Sequence, residues 1–183
     1  LSVADHVRPG AATTVEQLYS LGLNRVGVLS GDHEKATQLV AKATGLTDAW
    51  AGLKPEEKLE VLSQFQTSGH EVLFVGDGIN DAPALAMANV SVAMGAAGTH
   101  VALEAADIAL MHDDISTIPF LIRLSRRMLA IIKWNVAFGL VFNGLAVLAS
   151  GSGLLTPIMG AVVHNIGSVL VVCLAASLAF LRE

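Results

Sequence analysis

The sequence runs to 183 residues, enough for one domain with a real core and too few for most multidomain enzymes. Hydrophobic residues make up 53% and charged residues only 15%, with a mean hydropathy of +0.60; soluble domains carry about 25% charge, so disorder is excluded and a membrane component is implied. A net charge of -5 offers no basic footprint for nucleic acid, and a single cysteine permits no intrachain disulfide.

In chain order, VGVLS at 26–30 is an apolar run of strand length ending at Gly-Asp, and a helical pattern follows over Glu34–Thr44. Pro55 opens a second helical run in which Leu59, Leu62 and Phe65 recur at three-residue spacing. VLFV at 72–75 is another strand run ending at Gly-Asp, followed by a helical pattern over Ala82–Ala88. Shorter apolar runs stand at Val90–Met94 and Ile108–Met111. Strands alternating with helices predict an α/β fold, a Rossmann-like parallel sheet covered on both faces. Ligands of such sheets bind outside the carboxyl ends of the strands, which puts Asp32 and Asp77 at the functional edge.

After Lys133 the composition changes, and no Asp, Glu, Lys or Arg recurs until Arg182. The uncharged stretch is too long for one span of about 20 residues, and Gly151, Ser152, Gly153 and Pro157 punctuate it. A two-helix transmembrane hairpin follows, over about 133–151 and 156–180; a hairpin buried in a soluble protein is the alternative. Arg123, Arg126, Arg127 and Lys133 precede the first span, Arg182 follows the second, and the loop between is uncharged. Both termini are therefore expected on the cytoplasmic side of a plasma or inner membrane. The division expected is a soluble part at 1–118, a cytoplasmic connecting helix at 119–132 and the hairpin at 133–183. No signal peptide is visible and the first residue is Leu1 rather than Met, so the chain is expected to be the end of something longer.

The chemistry-bearing residues are Ser30-Gly31-Asp32, Lys58, Gly76-Asp77-Gly78 and Asn80-Asp81. Gly76 and Gly78 allow a sharp turn after the strand, leaving Asp77 at its tip, while Asn80 and Asp81 bring an amide and a second carboxylate to the same turn. Two carboxylates this close repel unless a cation sits near, and Mg2+ suits them. The alternative is that Asp81 caps a helix starting near Ala82 while Asp77 makes an Asx-turn. The Ser30 hydroxyl and neighbouring N–H groups can hold a phosphoryl oxygen, although Ser-Gly-Asp is also a common turn. Lys58 can place a point charge on the same phosphate, or be one surface lysine at a helix start with acidic first-turn residues.

These residues, in this order, resemble the P-type ATPases, ion pumps that form an aspartyl phosphate within a haloacid-dehalogenase-like domain. The resemblance rests on GDGINDAPALA at 76–86, LSGD at 29–32, KPEEK at 54–58, ADHVRPGA at 4–11 with Asp5, Arg8 and Pro9, and GTHVALEAADIALM at 98–111. It covers essentially the whole chain but only the C-terminal part of such a pump. It implies that Asp77 is the Mg2+ ligand, that Asn80 and Asp81 shape the Mg2+ and phosphate site, that Lys58 neutralises phosphoryl oxygens, and that Ser30, Gly31 and Asp32 contact the transferred group. Position 30 holds serine where the family usually has threonine, which keeps the hydroxyl; His100 stands where aspartate is common. No Asp-Lys-Thr-Gly-Thr occurs in these residues, so the aspartate that attacks ATP is not among them. The resemblance therefore implies a fragment, inactive alone, whose partners are the missing N-terminal part of the pump, ATP, the bilayer and a transported cation. A membrane-tethered phosphatase of the same fold and a non-enzymatic regulatory fragment that binds an intact pump are the competing readings.

Two final spans resemble the heavy-metal-transporting branch. Polar residues in lipid are functional candidates: Asn135 and Asn143 on the first span, and Met159, His164, Asn165 and Ser168 on the second, with His164 and Ser168 sharing a face. Copper pumps carry Tyr-Asn where this sequence has Phe142-Asn143, and Met-x-x-Ser-Ser near His164–Ser168. Asn143, His164 and Ser168 are the candidate ion pathway, with Met159 a weaker member. Imidazole suits a transition metal of the Cu, Zn, Co or Ni class; an interhelical hydrogen bond is the alternative for His164. Cys173 reads as packing.

Overall fold

The computed structural model describes residues 7–77, 80–95, 104–154 and 156–176; Asp5, Gly78, His100 and Arg182 lie outside them. The chain divides into two compact units, Leu1–Pro119 and Phe120–Glu183.

The first unit begins with α1 (Ala11–Ser20), which buries Val15 and Leu18. β1 (Gly27–Leu29) is joined through α2 (Glu34–Thr44) to β2 (Asp48–Trp50), and the strands pair in parallel with Val28 opposite Ala49. Glu34 sits in the first turn of α2 and Lys42 in its last, each matching the helix dipole. Gly45 ends α2 at φ 75, the left-handed conformation that glycine adopts without strain. Next come α3 (Pro55–Thr67), β3 (Leu73–Gly76), α4 (Ala82–Met87), β4 (Val90–Ala93) and β5 (Ile108–Ala109). β3, β4 and β5 form a parallel sheet in that order, with Val75 opposite Val92 and Val92 opposite Ile108. Parallel neighbours need long crossovers, and α2 and α4 supply two of them.

The core lies between α3, α4 and the β3–β4 pair. Leu62, Phe74, Ala84, Leu85 and Ala93 form it, with Leu29 of β1 and Leu59 of α3 packed against it. Leu62 and Leu85 are each 1% exposed, so truncating either to alanine costs about 2–5 kcal/mol. Pro55 takes the first helical position of α3, where its missing N–H is not needed, and the Glu57 carboxylate accepts the Lys54 N–H at 2.7 Å.

Two acidic clasps close the strand pairs. Asp48 accepts from Arg25 at 2.6 and 3.0 Å, and the guanidinium lies 4.7 Å from the centre of the Phe65 ring, which stands edge-on to Trp50. Arg25 donation holds the Asp48 carboxyl below its usual range, with Thr47 helping, and Asp48 in turn raises Arg25. Asp107 accepts from both the N–H and the hydroxyl of buried Ser91 at 2.9 Å, which lowers its pKa. Asp107 returns its own N–H to the Ser91 hydroxyl at 3.0 Å, so β4 and the approach to β5 are locked together.

The second unit is a helical hairpin of α5 (Thr117–Gly151) and α6 (Pro157–Ala176). The connecting segment and the first span are one continuous helix with no break at Lys133. Its 35 residues extend about 52 Å, against a hydrocarbon core of about 30 Å. The most apolar windows of the two helices are 0% and 6% buried within the chain. Both helices are long and apolar enough to cross a membrane, and their apolar surface is open within the chain, as a membrane-spanning hairpin's is.

Candidate functional site

β3 runs directly into the candidate phosphoryl site. Asp77 is exposed at the strand's carboxyl end, Asn80 is exposed in the turn, and Asp81 stands at the N-cap position of α4. Asp81 makes no side-chain capping bond. Its carboxylate instead takes the Lys58 ammonium from α3 at 2.6 Å, with both side chains about 15% exposed (15% and 16%). The Asp81 side chain therefore does not cap α4, and the cation beside it in the structure is the Lys58 ammonium.

Gly76 has a role different from the sharp turn expected of it. It is the last residue of β3 and lies outside the positive-φ set. A Cβ there would meet the Asp81 Cβ and Oδ2 at 2.9 Å and the Phe74 ring at 3.1 Å. The missing side chain is the space into which the Asp81 carboxylate folds to reach Lys58. A glycine directly before Asp77 was the only available signal, and it did not distinguish a turn from a notch.

Ser30, Gly31 and Asp32 form a self-contained turn at the end of β1. The Ser30 hydroxyl donates to Asp32 Oδ2 at 3.0 Å and accepts the Asp32 N–H at 3.1 Å. This turn is fastened to the end of β2: the Ser30 N–H donates to the Trp50 carbonyl at 2.9 Å, the Leu53 N–H to the Ser30 carbonyl at 3.0 Å, and the Gly52 N–H to the Asp32 carbonyl at 2.8 Å. Arg8, at the segment preceding α1, is paired with the Asp113 carboxylate.

Among the described residues no group of three or more His, Cys, Asp or Glu side chains gathers as a metal cage. Mg2+ does not require one, because it is commonly held by one or two carboxylates, waters and substrate phosphate. A strand-tip carboxylate at Asp77, with a neighbouring amide at Asn80, fits that donor set.

The hairpin has a site of its own. Asn143 from α5 and His164 and Ser168 from α6 line one cavity of about 270 Å³, whose remaining wall is Phe138, Gly139, Phe142, Gly167, Val171 and Val172. A Cβ on Gly167 would lie 2.6 Å from the Phe142 ring, so glycine is what lets the ring seat against α6. The Ser168 hydroxyl donates to the His164 carbonyl at 3.1 Å, one turn back. Met159 and Cys173 do not line this cavity, and Asn135 faces a separate one of about 180 Å³. Its polar lining groups are nitrogen and oxygen donors.

Comparison with known proteins agrees with both halves. Residues 1–89 match the haloacid dehalogenase-like hydrolase family. A zinc-exporting P-type ATPase of Mycobacterium marinum is 41% identical over 172 residues, covering 94% of this chain and 24% of that protein. A manganese-exporting P-type ATPase of Mycobacterium bovis shows the same 41% identity and coverage. The crystal structure of a zinc-transporting PIB-type ATPase in its E2.Pi state superposes with a TM-score of 0.84 at 35% identity, over 95% of this chain and 28% of that one. The chain matches the C-terminal part of the heavy-metal P-type ATPases. It spans about a quarter (24%) of the length of these curated relatives. Its parallel sheets have the haloacid-dehalogenase-like fold, and two helices able to cross a membrane follow them.

Proposed function

We propose that the chain supplies the Mg2+ and phosphate site and the last two core membrane helices of an ATP-driven heavy-metal cation pump. The Lys58–Asp81 pair beside Asp77, built on GDGINDAPALA, is the observation that carries the reading. Asp77 and Asn80 hold Mg2+, which when bound neutralises charge on the phosphoryl oxygens. Asp81, 2.6 Å from the Lys58 ammonium, aims it toward the same group. The Ser30 hydroxyl exchanges its Asp32 bond for a phosphoryl oxygen, and the Gly31 and Asp32 N–H groups lie beside it. ATP and the attacking aspartate come from elsewhere in the pump. An independent phosphatase needs an Asp-x-Asp nucleophile, which these residues do not contain.

Asn143, His164 and Ser168 form part of the intramembrane ion path. Nitrogen and oxygen donors, with Met159 and Cys173 outside the cavity, suit a divalent transition metal such as Zn2+, Co2+ or Ni2+ better than a thiol-seeking ion. The zinc and manganese exporters are equally similar, so overall identity does not choose the ion. The cations in the N-terminal part of α5 favour a cytoplasmic position for both termini.

The test is a chimera in which this chain replaces the matching C-terminal quarter of the Mycobacterium marinum exporter. Metal-stimulated phosphoenzyme should form, and Asp77→Asn should lower it at least about 100-fold. His164→Ala should abolish metal stimulation while leaving phosphorylation by inorganic phosphate intact. Undiminished phosphoenzyme in Asp77→Asn overturns the Mg2+ assignment, and unchanged metal stimulation in His164→Ala overturns the path.

A further inference from the structure

Helix α3, the passage from β2 to β3, is held from two sides. Toward β3 and α4, Lys58 donates to Asp81 at 2.6 Å, Leu62 enters the core and the Gln66 side-chain amide donates to the Met87 carbonyl at 2.9 Å. Toward the β1–β2 pair it presents Phe65, whose ring meets the Trp50 ring edge-on with centroids 5.7 Å apart and lies 4.7 Å below the Arg25 guanidinium. Both partners are themselves fixed. Asp48 holds the guanidinium by bonds of 2.6 and 3.0 Å. A Cβ on Gly27 would lie 2.8 Å from the Trp50 ring, so glycine is what lets that ring lie across β1.

Trp50 is also the residue that holds Ser30, whose N–H donates to the Trp50 carbonyl at 2.9 Å. Phe65 thus touches the support of the Ser30 turn from the helix that carries Lys58. Seven residues separate Lys58 from Phe65, about two turns and about 10 Å, so the two lie on one stripe of α3. The bonds from Gly52 to Asp32 and from Leu53 to Ser30 fix where the helix begins, and leave its roll about its own axis to side chains. Side-chain ends lie about 5–6 Å from a helix axis, so a roll of about 10° shifts the end of Lys58 by about 1 Å relative to Ser30. A misplacement of about 1 Å can cost about 100-fold in rate.

We propose that Phe65 is a positioning residue of the phosphoryl site: seated between Trp50 and Arg25, it sets the roll of α3 and so the separation between the Lys58 ammonium and the Ser30 turn. The proposal rests on the pump reading above, in which both groups contact the transferred phosphoryl group.

The experiment follows phosphoenzyme formation from ATP by rapid quench, across ATP concentrations, in the chimera with the Mycobacterium marinum exporter. Phe65→Leu keeps apolar bulk and loses the ring. It should lower the rate constant at saturating ATP at least about tenfold, with the half-saturating ATP concentration unchanged because the nucleotide is bound elsewhere in the pump. A merely structural defect lowers the amount of phosphoenzyme and leaves its rate constant alone. Phe65→Tyr restores the ring and should keep the parent rate. Gly27→Ala displaces Trp50 from the opposite side with Phe65 in place; it should slow the same step, and together with Phe65→Leu it should slow it by less than the product of the two single effects. A parent rate constant in Phe65→Leu or in Gly27→Ala overturns the proposal, as does a Phe65→Tyr chimera as slow as Phe65→Leu. Slowing matched by a rise in half-saturating ATP also overturns it, because the ring would then serve nucleotide binding. An unsubstituted chimera that forms no phosphoenzyme overturns the pump reading itself.

Discussion

Replacing Gly76 by alanine tests the geometry of the phosphoryl site through the sign of its effect on stability. Glycine within a strand is ordinarily about 0.5–1 kcal/mol worse than alanine, because it loses more backbone freedom on folding. At position 76 the added methyl would lie 2.9 Å from the Cβ and Oδ2 of Asp81 and 3.1 Å from the Phe74 ring. Ordinary carbon contacts are about 3.5–4.0 Å, so Asp81 must move by more than half an ångström. The 2.6 Å bond to Lys58 does not survive that shift unchanged. Overpacking costs about 1–3 kcal/mol, and loss of a mostly buried pair costs more than the 0–1 kcal/mol of an exposed one. A net destabilisation of about 2 kcal/mol is therefore expected.

The assay is urea unfolding of the whole chain in detergent, followed by Trp50 fluorescence in a Trp134→Phe background. With an m value of about 1–3 kcal/mol/M, the midpoint should fall by about 1 M. Asp81→Gly removes both of the closest obstructing atoms, and glycine is tolerated at an N-cap. Gly76→Ala should then cost much less in the Asp81→Gly background. A Gly76→Ala chain as stable as the parent, or more stable, would refute the notch.

Lys58→Met should cost about 2–4 kcal/mol by stranding the Asp81 carboxylate, and adding Asp81→Leu should recover much of it, because an apolar pair replaces a mostly buried ionic one; the same urea assay reads both. Asp48 and Asp107 have folded pKa values below normal, so their contribution is complete above the unfolded value of about 3.9 and is lost as pH falls toward the lowered folded values. Acid titration of the folded fraction should show stability falling below about pH 4, with the fall shallower in Asp107→Asn.

The sequence disclosed most where a residue type admits only one local job. Glu34–Thr44 was readable in full because a C-terminal glycine stops the helix, and Pro55 fixed the start of α3. β2 was missed because its residues, Asp-Ala-Trp, show no alternation over three positions and its first member is committed to Arg25. α1 was missed because its Thr13-Thr14-Val15 run weakens helix propensity, and burial of Val15 and Leu18 overrides that. Asp81 shows the deeper limit. Its neighbours in sequence recommend a cap or a metal ligand, and its partner lies 23 residues earlier, on another helix. The same holds in the hairpin, where Met159, a weaker candidate by residue type, does not line the cavity that Asn143, His164 and Ser168 share. Chemistry that depends on side chains meeting across elements is set by packing, and short-range pattern carries no record of it. Gly76 and Gly167 are the exceptions in kind: each marks a close approach, of Asp81 in one unit and Phe142 in the other, and in both the glycine supplies room rather than backbone freedom.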